Sequence, residues 1–144
     1  MIPYQSNVLL NLTTSGLIIF GGLGFLVILD VLRSRSFKKL CLHSKIVIVM
    51  SIFLIAAGML SLKATENITW LGAFFQSVSA RTAGFSSYPI GSFTDAGLFT
   101  LIILMFIGAS PGSTGGGIKT STFFVLIQAV SYTHLRAHET GAYL

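Results

Sequence analysis

GASPGSTGGGIKTS, residues 108–121, parts two apolar runs, AGLFTLIILMFI (residues 96–107) and STFFVLIQAV (residues 121–130). Its glycines have nearly the spacing of a phosphate-binding loop, G-x-x-x-x-G-K-[ST], with Gly112 and Gly117 correctly separated. Ile118 stands where the lysine belongs, and Lys119 comes one place late. That loop also needs a buried strand before it in a soluble α/β unit, and the flanks here are long apolar runs. A continuous helix through the stretch would hold five glycines and one proline. At about 1 kcal/mol per glycine and about 3 for proline, the cost is roughly 8 kcal/mol. The stretch therefore predicts a break within one long apolar element.

Composition places that element in a membrane. Of the 144 residues, 53% are hydrophobic and 9% are charged, against about 25% charged in ordinary soluble domains. The net charge of +5 does not point to nucleic acid, because of where the charges lie. Arg33, Arg35, Lys38, Lys39 and Lys45 fall in one short connection between two apolar blocks, which is how a membrane protein marks its cytoplasmic side. The lone Cys41 lies in the same connection and excludes an internal disulfide.

Working outward, Val8 to Leu32 is long enough to cross a bilayer, which takes roughly 20 residues. Its glycines, Gly16, Gly21, Gly22 and Gly24, read as surfaces for close helix packing. Residues 33–45 are expected in the cytoplasm, and Ile46 to Leu62 forms a second span. The segment KATEN, residues 63–67, then lies outside. Ile68 to Ala80 is too short to span and reads as a re-entrant or buried helix. Thr65 and Asn67 are its candidate N-caps, and Glu66 suits its positive end. The third apolar element, residues 96–130, is one broken helix or two half-helices.

Two stretches carry the chemistry. A short helix entering from outside points the partly negative end of its dipole into the membrane, which favours a cation. Thr82, Ala83, Gly84 and Phe85 would then return extended, their carbonyls replacing part of an ion's hydration shell. Gly84 supplies backbone angles closed to other residues. An ordinary external loop over an interfacial helix fits the same length. Arg81 serves either as a C-terminal cap on the short helix or as a charge that sets the electrostatics of the entrance. The broken stretch, Gly108, Ala109, Ser110, Pro111, Gly112, Ser113, Thr114, Gly115, Gly116 and Gly117, must face protein or water at membrane depth. Its small residues suit a movable gate beneath an ion site. Lys119 either holds the loop by a salt bridge or reaches the interface as a snorkelling side chain.

At these two motifs the chain resembles the Trk/Ktr/HKT superfamily of potassium transporters, most nearly the Ktr-type membrane subunit. The resemblance runs from about Leu9 to Val130, strongest over FQSVSARTAGFSSYPIGSFTDAGLFTLIILMFIGASPGSTGGGIKTSTFF, residues 75–124. It implies an all-α membrane protein. The whole would have fourfold pseudosymmetry, each unit a helix, pore helix, filter strand and helix as in a potassium channel, and this chain would be a fragment of it. Residues 1–40 would be the last helix of the second unit and its basic loop. Residues 41–130 would be the third unit, with span 46–62, pore helix 68–80, filter 81–87 and broken span 96–130. Potassium would sit at the Thr82, Ala83 and Gly84 carbonyls, with sodium a second candidate ion, and residues 108–117 would be the gating loop. The resemblance also implies a bacterial inner membrane, a homodimer and a cytosolic nucleotide-binding regulatory ring. It implies no cofactor in this chain and no enzyme activity.

Two other classes stay open: a broken-helix secondary transporter of another substrate, and a membrane scaffold whose glycines only pack helices. From Ser131 the text SYTHLRAHETGAYL turns polar, and residues 131–144 read as a tail foreign to the domain, like read-through at the end of a gene. His134 and His138 alone make no metal site.

Overall fold

The computed structural model describes residues 2–34 and 36–140. Arg35 of the basic connection and residues 141–144 of the tail lie outside them. The described chain is helical, with no strand among the described residues. Six α-helices carry it: α1 Val8–Leu23, α2 Phe25–Ser34, α3 Leu42–Thr65, α4 Trp70–Thr82, α5 Asp95–Phe106 and α6 Thr120–Thr140.

The first expected span is not one helix. It breaks at Gly24, where α1 and α2 meet at 95°. Gly24 has φ +82, a left-handed value that a side chain disfavours. The reading of GGLG as a packing surface holds for Gly24, since a Cβ there would stand 2.7 Å from the Pro111 carbonyl oxygen. What the packing reading missed is that the same glycine turns the chain.

Helix α3 is long and apolar enough to cross a membrane. It overruns the expected 46–62 at both ends. At its start, Asp30 on α2 accepts a hydrogen bond from the Cys41 backbone N–H (2.9 Å), supplying the cap that Cys41 itself does not. At its far end, Lys63 donates to the Ile68 carbonyl (2.7 Å) and lies over the Trp70 ring (5.8 Å), folding the connection back toward α4.

The short helix is the centre of the fold. Helix α4 packs against α1, α3 and α5, and Ala73, Phe75, Ser77 and Ser79 are fully buried on it. Its start differs from expectation: Thr69, not Thr65 or Asn67, is the N-cap, accepting from the Gly72 N–H (3.1 Å). Glu66 serves a different helix from the one expected. Its carboxylate accepts from the Thr94 N–H (2.8 Å) and hydroxyl (2.6 Å) at the start of α5. Thr94 in turn caps α5 through the Gly97 N–H (3.2 Å). A buried carboxylate is tolerated there because both bonds are charge-assisted, worth about 1.5–3 kcal/mol each. Ser77 donates to the Ile55 carbonyl (2.9 Å), and Gly58 lets α4 and the Leu104 side chain approach α3 closely.

Large apolar side chains stand exposed along α1, α2, α5 and α6, among them Leu9, Leu17, Phe25, Phe99 and Val125. Contiguous exposure of this kind marks a surface that meets lipid or further protein. Helix α6 does not stop where the apolar run ends at Val130 but continues to Thr140. The side chain of His138 lies outside what is described.

Candidate functional site: a glycine turn and a glycine loop on one cavity

The end of α4 and the chain after it form a tight turn. Ser79 O accepts from both the Ala83 and Gly84 N–H groups (3.0 Å each), so the helix closes through its own backbone. Thr82 is still helical and Ala83 holds α-region angles. The chain is therefore not extended from Thr82, as expected. It turns at Gly84, where φ is +68. Past that point Ser79 Oγ donates to the Phe85 carbonyl, and Gln76 donates to Ser86 Oγ (2.8 Å). The Tyr88 hydroxyl meets Thr69 (3.2 Å), and the Tyr88 ring covers Gly72. Residues 85–88 are thus laced along α4, with the Phe85 carbonyl turned toward Ser79. Sequence reasoning found the turn but not the Ser79, Gln76 and Tyr88 bonds that hold it.

Arg81 is buried, and among the described residues its Nε has no hydrogen-bond partner. The cap it was expected to supply is made instead by the backbone bonds to Ser79.

The glycine stretch breaks α5 from α6 as expected. Its base is closed by a parallel bridge between Ile107 and Ile118, with Gly108 N–H to Ile118 O and Ile118 N–H to Phe106 O both at 3.0 Å. The chain thus enters and leaves the loop in the same direction. No side chain fits at Gly108, which lies against the Gly116 carbonyl. Lys119 was expected either to hold the loop by a salt bridge or to reach the interface; among the described residues it holds the loop through a backbone carbonyl rather than a carboxylate. Its ammonium donates to the Gly115 carbonyl within the loop.

The loop and the break at Gly24 satisfy each other. Ser110 N–H and Oγ both donate to Gly22 O (3.1 and 2.8 Å), and Oγ also reaches Leu23 O. In return the Phe25 N–H at the start of α2 donates to Gly112 O (3.3 Å). Helix ends leave such groups without intrahelical partners, and at membrane depth each unmade bond costs several kcal/mol.

Between these parts lies an open cavity of about 330 Å³, lined by Thr14, Leu17, Ile18, Gly21, Gly22, Ala83, Phe85 and Thr114. It brings together the turn after α4, the last turns of α1 and the glycine loop. The C-terminal ends of both α1 and α4 border it, and each carries a partial negative charge of roughly one half. Among the described residues no group of three or more His, Cys, Asp or Glu side chains is placed to hold a metal ion. The wall supplied by α1 was not legible in the sequence.

Comparison with known proteins follows the same lines. Residues 46–141 match the model of the TrkH family, described as "Cation transport protein". The Ktr system potassium uptake protein B of Vibrio alginolyticus is 43% identical over 94% of this chain and 33% of its own length. Its namesake in Bacillus subtilis is 37% identical over 90% of this chain and 32% of its own. The potassium/sodium uptake protein NtpJ of Enterococcus hirae is 39% identical, covering 88% of this chain and 31% of its own length. The chain thus spans about a third of these curated relatives. With a family match over most of its length and relatives of this identity, the chain belongs to the TrkH family of membrane cation transport proteins.

Proposed function

We propose that the chain is part of a potassium-translocating subunit, with the cavity between Ala83, Phe85 and Thr114 on the ion's path. The observation that carries the reading is this cavity, because it puts the turn after a buried short helix directly opposite the glycine loop. A cation would enter along residues 82–84, shed water onto the Thr82, Ala83 and Gly84 carbonyls, and pass the negative ends of α1 and α4. Residues 108–117 would bar the way below, with Thr114 projecting into the cavity. Buried Arg81 would hold a fixed positive charge near the path and disfavour a misplaced ion. Residues 41–130 would make one channel-like unit of four, and residues 1–40 would close the unit before it. The basic connection, residues 33–45, would face the cytoplasm of a bacterial inner membrane.

Partners follow from the relatives. Two are named for a "Ktr system", which supports a subunit working with other components. A homodimer and a cytosolic nucleotide-binding ring are the partners proposed here. The paired breaks at Gly24 and residues 108–117 would also suit a secondary transporter built from discontinuous helices; potassium over other cations is what separates the readings. The test is flux. The full-length subunit carrying this segment, reconstituted in vesicles, is expected to take up radioactive rubidium in a saturable way, competed by potassium more strongly than by sodium. Uptake that potassium does not compete overturns the proposal.

A further inference from the structure

The glycine loop has two parts with different attachments. Ser110 to Gly112 are seated on the break between α1 and α2, Ser113 bonds back to the Ser110 carbonyl, and Thr114 lies beyond the seat on the cavity, while Gly116 and Gly117 return to the loop's base beside Gly108. Ser110 is fully buried. Its one hydroxyl proton is shared between the Gly22 and Leu23 carbonyls, and its N–H also serves Gly22. The carbonyls it holds belong to the last turn of α1, the same turn whose Gly21 and Gly22 line the cavity. Gly24 completes the seat: it lies so close to Pro111 that no side chain fits between them without moving one or the other.

We infer that Ser110 is a positioning residue which, through its bonds to Gly22 and Leu23, seats the loop on the α1–α2 break and so holds Thr114 in the ion's path. The inference rests on the transport reading above and adds to it where the barrier is fastened. Moving the barrier aside requires Ser110 to leave these carbonyls, so the closed state depends on a helix distant in sequence from the loop. Removing the hydroxyl weakens only the seated state. Flux then rises while the filter is untouched.

The experiment uses the full-length subunit in vesicles, with rubidium flux normalised to assembled transporter and potassium-over-sodium competition measured in parallel. Ser110→Ala is expected to raise flux about fivefold, the population shift that the loss of one neutral hydrogen bond gives. Potassium-over-sodium competition should stay at the wild-type value. Gly24→Ala, which forces Pro111 off its seat, is expected to act in the same direction. A purely structural role would lower assembly and leave flux per transporter unchanged. An assembled Ser110→Ala subunit at or below wild-type flux overturns the inference, and it decides alone if Gly24→Ala does not assemble. Absence of flux from the wild type itself sinks the transport reading and this inference with it.

Discussion

Deleting Ser113 to Gly116 from the full-length subunit is expected to raise ion flux per assembled transporter severalfold and, if the proposed cytosolic ring is present, to weaken its control. The four residues carry Thr114, which lies on the cavity, and Gly115, whose carbonyl takes the Lys119 ammonium. They carry none of the bonds that close the loop's base, where Gly108 meets Ile118 and Ile118 meets Phe106. Ser110 also keeps its bonds to Gly22 and Leu23. The deletion thus takes Thr114 from the cavity while the bonds that join the half-helices at the loop's base are kept. A segment that only packs helices would behave differently, with less assembly and unchanged flux. Flux at or below wild type in an assembled deletion mutant counts against the gate.

Gly84→Ala is the second large expected effect, with Gly84→Ser in the same direction. Space is not the reason, since a Cβ built on Gly84 meets nothing within 4 Å. The reason is the backbone, which reverses there at φ +68. A side chain in that region costs about 1–2 kcal/mol, enough to shift the Ala83 and Gly84 carbonyls away from their positions. Potassium-over-sodium discrimination is expected to fall by about tenfold, the equivalent of 1.4 kcal/mol, with expression little changed. Competition curves on reconstituted protein read this directly. Wild-type potassium affinity and discrimination in an expressed Gly84→Ala subunit would rule out the proposed filter role of Gly84.

The elements that were legible in the sequence are those fixed by length and local chemistry. Ile68 to Ala80 is too short to span, which suggested a re-entrant or buried helix with an interfacial one left open, and α4 lies within two residues of it at each end. The break at residues 108–117 follows from five glycines and a proline in one stretch, whatever surrounds them. The break at Gly24 was hidden because a glycine in an apolar helix serves close packing and chain reversal equally well. The partner that meets the broken end is Ser110, which lies 88 residues from its acceptor Gly22. The cap of α4 was misplaced for a similar reason. Thr65, Asn67 and Thr69 are all capable caps within five positions, and the choice among them is made by Lys63 holding the Ile68 carbonyl and by Glu66 turning to Thr94. The roles given to Arg81 and Lys119 were open for the same cause: a long basic side chain near a helix end reaches many acceptors, and only the folded chain shows which one it meets.

The central claim is that the turn after α4 and the glycine loop face one another across a cavity on the ion's path. Thr114 tests it most directly, because it belongs to the loop and lines that cavity. In a full-length subunit with Cys41→Ser and Thr114→Cys, silver ions are small cations that react with a thiol where they meet it. Silver is expected to block rubidium flux almost completely in this variant and to leave the Cys41→Ser control untouched, and excess potassium should slow the block. A Cys introduced at position 114 that is shown to have reacted, in a transporter whose flux is unchanged, would contradict the claim.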